Sequence, residues 1–161
     1  MTVGNARHGS LRLLNAVEKL VTERFFGEVK VVVQSGNNAE FRSEHCEVRP
    51  FLSMDEFVEM IHRSSLVICH AGCGTLSQAI KEGKPIVVVP RRLHYNEVVD
   101  DHQPQLLEAF AKRGLVIPAY EVEELPGAIE KARAMPIKQF QETSAAPAKI
   151  MAAVEDLLNR R

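Results

Sequence analysis

The residues best suited to chemistry lie in one short stretch, His70-Ala71-Gly72-Cys73-Gly74-Thr75, between an apolar run and a helical pattern. Glycines at such a turn can adopt a positive φ and let a ligand come close to the backbone. The first N–H groups of the following helix have no partners within it and lie at the positive end of its dipole. This combination favours an anion site, most often for phosphate, with the Thr75 hydroxyl as a further donor. The same spacing also suits a tightly packed turn without a ligand, in which His70 is purely structural.

Two other chemistries are compatible with parts of this stretch. Cys69, His70 and Cys73 could bind zinc, but no second Cys/His pair completes four ligands, so buried reduced thiols are the simpler interpretation. The glycines also resemble a loose dinucleotide fingerprint, although that motif normally occupies the first βα turn of its domain and here it lies in the fourth. Arg91 and Arg92 end the next strand and could hold a 2′-phosphate, so an NADP-binding protein stays an alternative.

Strand and helix patterns alternate along the whole chain and position this turn. Apolar runs predict six strands, at residues 1–4, 29–36, 45–51, 65–70, 85–90 and 115–118. Helical patterns fall at residues 11–25, 53–64, 75–82, 102–114, 122–134 and 144–159. The alternation predicts an α/β fold, a Rossmann-like doubly wound parallel sheet of about six strands. Such sheets bind ligands at the carboxyl ends of their strands, which is where the glycine turn lies.

Composition limits the class of protein further. The chain has 161 residues, 45% of them hydrophobic, which predicts a single domain over residues 1–161. Lys and Arg number 20 against 21 Asp and Glu, so there is no basic field for general nucleic-acid binding. No apolar run approaches the ~20 residues of a membrane span and no signal-peptide pattern occurs, so a cytoplasmic location is expected.

Several segments together resemble a known family: "HAGCGT", "AIKEGKPIVVVPRR", "DDHQ" and "LLEAFAKRGLV". They are similar to the C-terminal half of the family 28 glycosyltransferases, the nucleotide-sugar domain of the GT-B architecture. The resemblance is strongest across residues 67–117. The short length and the start "MTVGN" further resemble stand-alone subunits of split UDP-sugar transferases, such as the soluble subunit of the dolichol-pathway GlcNAc transferase and bacterial exopolysaccharide and capsule subunits.

The resemblance implies roles for residues on both sides of a crevice. The turn from His70 to Thr75 would meet the diphosphate of a UDP-sugar, and Gly4 and Asn5 would line the crevice opposite it. Many relatives carry an acidic residue for the ribose hydroxyls one turn into the following helix, where this chain has Gln78. Glutamine can still bond a diol, but without the charge assistance that strengthens such bonds.

The resemblance also assigns the next two segments of the chain. Arg91 and Arg92, at the exit of the fifth strand, would lie near the uracil. Asp101, His102 and Gln103 match a cluster that contacts the donor sugar. From the residues alone, this cluster could also be a simple helix N-cap, in which acidic side chains interact favourably with the helix dipole.

The reaction implied is inverting hexosyl transfer to a lipid-linked acceptor, and this chain holds only part of the machinery. The chain contains no Asp-x-Asp metal motif, so no metal cofactor is expected. The only candidate base is His8, and a loop histidine is usually just solvated. Half a cleft cannot exclude water or position an acceptor, so the chain alone is predicted to be weakly active or inactive.

A partner is therefore expected. It would be a membrane-anchored subunit that binds the acceptor and recruits this chain to the inner face of the membrane. The terminal stretch 144–160, with apolar residues at helical spacing, could dock that partner or close the domain's own core. Gln78 in place of an acid favours one further alternative, a non-catalytic accessory subunit that activates a partner transferase.

Overall fold

The computed structural model describes residues 1–7, 9–99 and 102–135, with the exception of the His102 side chain. The strands are β1 (Val32–Gln34), β2 (Glu47–Arg49), β3 (Val67–Cys69), β4 (Ile86–Val88) and β5 (Ile117–Pro118). The helices are α1 (Leu11–Thr22), α2 (Met54–Arg63), α3 (Cys73–Lys81), α4 (His102–Lys112) and α5 (Leu125–Ala134). The predicted stretch 144–160 and the candidate base His8 lie outside the described residues.

Residues 1–3 lie in the middle of the sheet and join its two halves. Thr2 forms parallel bridges to Gln34 on one side and to Cys69 on the other. The Thr2 N–H donates to the Ile68 carbonyl at 2.9 Å, and the Val3 N–H donates to the Gln34 carbonyl at 3.2 Å. The order across the sheet is therefore β2, β1, residues 1–3, β3, β4, β5, with all pairings parallel. This is the strand order of a Rossmann sheet. Successive strands are added towards one edge of the sheet from residues 1–3 to β2 and towards the other edge from β3 onwards, so the strand order reverses between residues 1–3 and β3.

Helices cover both faces of the sheet, as the doubly wound prediction requires. Alternate residues of each strand point to opposite faces. Ile68, Val87 and Ile117 pack with α1 and α5 in one buried cluster. The strand residues that point to the other face, among them Cys69 and Val88, pack with α2, α3 and α4 in a second cluster. The predicted fold is confirmed, with five short strands and residues 1–3 in the place of a sixth.

Local sequence signals explain several helix boundaries. Ser53 caps α2 by accepting a bond from the Glu56 N–H, while the Glu56 carboxylate accepts from the Ser53 N–H, a complete capping box. Helix α4 begins at His102, as the helical pattern over residues 102–114 predicts, and Pro104 falls in its first turn, where proline is tolerated. Gly83 and Gly114 end α3 and α4 in the left-handed region, at φ of 62° and 68°.

Burial departs from the apolar pattern at two positions. The β-branched run over residues 29–36 is typical of a strand buried on both faces, yet Val29 is 56% exposed because β1 begins only at Val32. Met54 falls on one helical face with the other apolar residues of α2, yet it is 73% exposed in the first turn of the helix. Among the described residues, no helix combines the length and apolar character that crossing a membrane requires.

Candidate functional site

Two groups of predicted site residues, Gly4–Asn5 and His70–Thr75, follow neighbouring strands where the strand order reverses. The chain leaves residues 1–3 at Gly4 and Asn5, and it leaves the neighbouring strand β3 at His70. Open parallel sheets bind ligands in the crevice at this position, outside the carboxyl ends of the strands. The space between Gly4–Asn5 and His70–Thr75 is called here the switch-point crevice.

Two glycines allow the backbone to close around the His70 ring. Gly4 has φ of 64°, and a Cβ built on it would lie 2.9 Å from His70 Cε1. A Cβ on Gly72 would lie 2.8 Å from His70 Nε2. Side-chain carbons do not approach that closely, so both positions require glycine in this arrangement. The glycines predicted to allow close approach therefore accommodate the chain's own histidine on one side of the crevice.

His70 is buried, with 6% of its surface exposed, and its Nδ1 has no hydrogen-bond partner among the described residues. Burial, followed by the charge of the Arg91 guanidinium, lowers the pKa of its imidazole to about 3, although the Thr2 backbone acts in the opposite direction. The ring is therefore neutral at physiological pH. A buried nitrogen without a partner is uncommon in native structures and calls for an explanation, such as a ligand.

The N-terminus of α3 is open to a ligand. Its N-cap is Gly72, which has no side chain, so no side-chain cap bonds the first N–H groups. By contrast, Ser53 satisfies one of these groups in α2. Cys73 is exposed, and a Cβ on Gly74 would meet nothing within 4 Å. Thr75 is buried, and none of the hydrogen bonds among the described residues involves its hydroxyl. Ala71, just before the N-cap, is buried and adds a compact apolar wall.

Arg91 supplies a buried positive charge beside the crevice. It is 3% exposed, its Nη2 donates to the Val3 carbonyl at 2.8 Å, and its Nε has no partner among the described residues. Burial lowers the pKa of the guanidinium, and nearby Glu97 raises it. The side chain thus reaches back over the end of residues 1–3, next to His70.

Arg92 is directed away from this group. Its Nη2 lies 3.2 Å from Glu121 Oε1 and donates to the Tyr120 carbonyl at 3.3 Å. Gln103, by contrast, contacts the backbone of Arg91: its Oε1 accepts from the Arg91 N–H at 3.0 Å. Asp101 and the side chain of His102 lie outside the described part of the chain.

Gln78 is engaged within its own helix. Its Nε2 donates to Glu82 Oε1 at 3.2 Å, one turn further along α3, and Glu82 Oε2 lies 2.9 Å from His62 Nδ1. This bond directs the Gln78 amide nitrogen away from the helix N-terminus. The predicted bond to a ribose therefore requires the side chain to change partners.

Asn5 is held by residues that the sequence analysis did not identify. Its Oδ1 accepts from Gln34 Nε2 at 2.7 Å, and Gln34 Oε1 in turn accepts from the Thr2 hydroxyl. Gly36 belongs to the same group, because a Cβ there would overlap the Gly4 carbonyl oxygen. The signal for Gly36 was present in the sequence, since it follows a strand as Gly4 does.

A second missed group lies at the exit of β4. The carboxylate of Glu97, which is 5% exposed, accepts from Arg12 Nη2 at 3.0 Å, from Arg12 Nε at 3.3 Å and from the Arg92 N–H at 3.1 Å. Arg12 also pairs with Glu121 at 3.4 Å. Arg12 and Glu97 are 85 residues apart, so no local pattern could have linked them.

The zinc alternative gains no support from the described residues. Burial raises the pKa of the Cys69 thiol to about 12, which fits the interpretation of Cys69 as a buried reduced thiol. Cys73 lies on the exposed side, and no cluster of three or more His, Cys, Asp or Glu occurs in the described ranges.

The strand order and this crevice define the class of protein: a Rossmann-like α/β domain with its candidate ligand site at the reversal of the sheet. Residues 2–158 match the model of the glycosyltransferase family 28 C-terminal domain. The chain therefore belongs to that family.

Its relatives are longer than the chain itself. It is 34% identical over 98 residues to the UDP-N-acetylglucosamine transferase subunit ALG13 of Yarrowia lipolytica, covering 57% of this chain and 47% of the relative. It is 28% identical over 109 residues to the UDP-N-acetylglucosamine–N-acetylmuramyl-(pentapeptide) pyrophosphoryl-undecaprenol N-acetylglucosamine transferase of Geobacter sulfurreducens, covering 64% of this chain and 29% of the relative. The chain thus spans less than half the length of either relative.

Solved structures share the fold. The glycotransferase of kitacinnamycin superposes with a TM-score of 0.66 at 18% identity, covering 99% of this chain and 42% of that one. The glycosyltransferase SnogD from Streptomyces nogalater gives a TM-score of 0.54 at 14% identity, covering 98% of this chain and 42% of that one. At these identities the similarity shows the fold alone, which is that of the C-terminal half of a GT-B glycosyltransferase.

Proposed function

We propose that this chain is the donor-binding part of a hexosyltransferase and that it holds the diphosphate of a UDP-sugar in the switch-point crevice. The observation that carries the proposal is the uncapped N-terminus of α3 next to the buried, unpartnered Nδ1 of His70. Donors that are fixed before the ligand arrives stabilise a diphosphate and also the charge that develops on departing UDP. The diphosphate would meet the N–H groups that follow Ala71 and the Thr75 hydroxyl.

The remaining site residues take their proposed places around this anion. Gly4 and Asn5 form the opposite wall, and Arg91 adds positive charge near the nucleoside. Gln103, which bonds the Arg91 backbone, is proposed to contact the donor sugar together with Asp101 and His102. Both relatives described above are named as N-acetylglucosamine transferases, so UDP-GlcNAc is the first donor to test. No metal ion is part of the proposal, because helix N–H groups and side chains neutralise the diphosphate.

The acceptor side is proposed to come from a partner. The relative from Geobacter sulfurreducens is named for a pyrophosphoryl-undecaprenol acceptor, and the one from Yarrowia lipolytica is named as a subunit. These names support a lipid-linked acceptor and a heteromeric enzyme here. A membrane-anchored, acceptor-binding partner would then recruit this chain from the cytoplasm to the inner face of the membrane and supply the catalytic base.

Calorimetry and a transfer assay test the two halves of the proposal separately. We expect UDP and UDP-GlcNAc to bind the purified chain, whereas ADP should bind more weakly. We expect transfer to a lipid-linked acceptor only when the chain is co-expressed with the product of a neighbouring gene. Absence of UDP binding contradicts the donor-site proposal, and robust turnover by the chain alone contradicts the split enzyme.

A non-catalytic accessory role is the second candidate, and one observation favours it. The Gln78 amide is bonded to Glu82 instead of facing the crevice, and it stands where many family members carry an acid. In that case the chain would activate a partner transferase without holding the donor itself. UDP titration separates the two candidates, because an accessory subunit gives no binding signal alone and does not lower the donor KM of the complex.

The NADP alternative requires both arginines to change partners. Arg91 is buried against the Val3 carbonyl and Arg92 pairs with Glu121, so neither guanidinium is free to hold a 2′-phosphate in this arrangement. A thermal-shift comparison of NADP with UDP tests this directly, and we expect protection by UDP alone.

A further inference from the structure

Side chains from other parts of the chain hydrogen-bond the backbone of three consecutive residues, 90–92, that follow β4. Arg12 Nη2 donates to the Pro90 carbonyl at 2.9 Å. Gln103 Oε1 accepts from the Arg91 N–H at 3.0 Å, and Glu97 Oε2 accepts from the Arg92 N–H at 3.1 Å. Each of these backbone groups is therefore held by a side chain from outside the strand.

Arg12 and Glu97 form the centre of this arrangement. The guanidinium presents Nε and Nη2 to the two carboxylate oxygens, at 3.3 Å and 3.0 Å, which is the side-on fork of a bidentate pair. The guanidinium carbon also lies 4.5 Å from the centre of the Tyr95 ring. Asn96 adopts φ of 56°, and this left-handed residue turns the chain so that Glu97 faces back towards the strand.

We propose that the Arg12–Glu97 pair is a positioning device for Arg91 in the switch-point crevice. The pair holds Pro90 and Arg92, the two neighbours of Arg91, and so fixes the backbone from which the Arg91 guanidinium reaches the Val3 carbonyl beside His70. This inference rests on the proposed donor site, to which it adds two residues that do not contact the ligand themselves.

The burial of the Arg12–Glu97 ion pair indicates that it positions the backbone of residues 90–92 more than it stabilises the fold. Glu97 is 5% exposed and the Arg12 side chain is 15% exposed, so both charges lose most of their hydration. A buried ion pair is often no more stabilising than apolar residues of similar volume, and its best-supported use is to specify one arrangement. Here the arrangement specified is that of residues 90–92, at the edge of the sheet where the ligand is proposed to bind.

Calorimetric titration of the full chain with UDP, together with thermal unfolding, tests the inference. Glu97→Gln should weaken UDP binding by about tenfold or more, the size of effect that residues supporting the ligands have at metal sites. Arg12→Lys keeps the charge but loses the fork and should give an intermediate loss. Glu47→Gln is the matched control, because it removes a carboxylate that pairs with Lys30 and Arg49 on β2, away from the crevice.

The titrations are made well below the unfolding midpoint of each variant, so that only folded protein is compared. A positioning role predicts weaker binding for Arg12→Lys and Glu97→Gln and unchanged binding for Glu47→Gln. If the first two variants unfold at lower temperature yet bind UDP as tightly as the wild type, the pair is structural and the inference is wrong. If Glu97→Gln does not fold, Arg12→Lys alone decides. If the wild type binds no UDP, the proposed donor site itself fails and this inference fails with it.

Discussion

Gly4 and His70 face each other across the reversal of the sheet, so closely that a Cβ on Gly4 would lie 2.9 Å from His70 Cε1. The histidine is thereby fixed between two glycine turns, with Gly72 on its other side. His70 Nδ1 has no hydrogen-bond partner among the described residues, and the ring is held in place by its close packing. The crevice therefore contains a polar nitrogen whose position is fixed before any ligand binds. The predictions below test whether this crevice binds the nucleotide.

Gly74→Ala should separate binding from folding. A Cβ at Gly74 meets nothing within 4 Å, and the residue lies in the first turn of α3, so alanine should keep stability or raise it by up to about 1 kcal/mol. The methyl group would nevertheless occupy space that the diphosphate needs, and we expect UDP affinity to fall by about tenfold, as for a displaced near-contact. Gly127→Ala is the control, because it also lies in a first turn, that of α5, with open space around it. Equal UDP affinity for both variants would place the nucleotide elsewhere.

Acid should destabilise the protein through His70. The folded pKa of about 3 lies below the unfolded value near 6.5, so the unfolded chain binds the proton more readily. The contribution of neutral, buried His70 to the free energy of unfolding is therefore fully present above about pH 6.5 and is lost as the pH falls towards 3. At pH 5 the loss should be about 2 kcal/mol.

Urea unfolding between pH 7 and pH 5 measures this effect. His70→Gln cannot take up the proton and should lose less stability over the same range, although its stability at pH 7 is lower. Parallel pH profiles for the two proteins would show that His70 is not buried as described. Other titrating groups contribute equally to both profiles and cancel in the comparison.

Gln78→Glu should strengthen nucleotide binding while weakening the fold slightly. A carboxylate accepts bonds from ribose hydroxyls with charge assistance, and we expect UDP to bind several-fold more tightly. The new charge lies one turn from Glu82, and such like-charge pairs cost about 0.2–0.5 kcal/mol. Asn15→Asp is the control, since it adds a carboxylate at an exposed position of α1, three residues before Glu18. Weaker UDP binding by Gln78→Glu than by the wild type would remove Gln78 from the ribose site.

Nucleotide binding should be independent of divalent cations. If the helix N–H groups and the Thr75 hydroxyl hold the diphosphate, titrations in EDTA and in magnesium should give the same dissociation constant. A gain of tenfold or more on adding magnesium would mean that a cation bridges the phosphates, and the donor set proposed here would need revision. Inorganic pyrophosphate as a second probe shows whether any cation effect comes from the diphosphate alone.

The sequence predicted those features that depend on local chemistry. The capping box at Ser53, the start of α4 at His102 and the helix ends at Gly83 and Gly114 all follow from residues within one turn of each boundary. The glycine turn after β3 was likewise recognisable, because glycine spacing and an abrupt change from apolar to helical periodicity occur within a few residues. The carboxyl edge of the sheet then followed from the alternation of elements.

Features that depend on distant residues were not predictable in the same way. Apolar β-branched residues indicated a strand from Val29, but only neighbours in space decide where pairing begins, and β1 starts at Val32. Gln78 was placed correctly on α3, yet its side-chain direction depends on Glu82. The pairing of Arg12 with Glu97 joins residues far apart in the chain and carries no periodic signal.

The central position of residues 1–3 has a consequence for the order of assembly. These residues are synthesised before their partners at Gln34 and Ile68, which follow about 30 and 65 residues later in the chain. Contacts so far apart in sequence slow folding, because a long loop must close before they form. Until residues 1–3 pair on both sides, β1–β2 and β3–β5 have no strand between them, so the continuous sheet is completed only when this segment is in place.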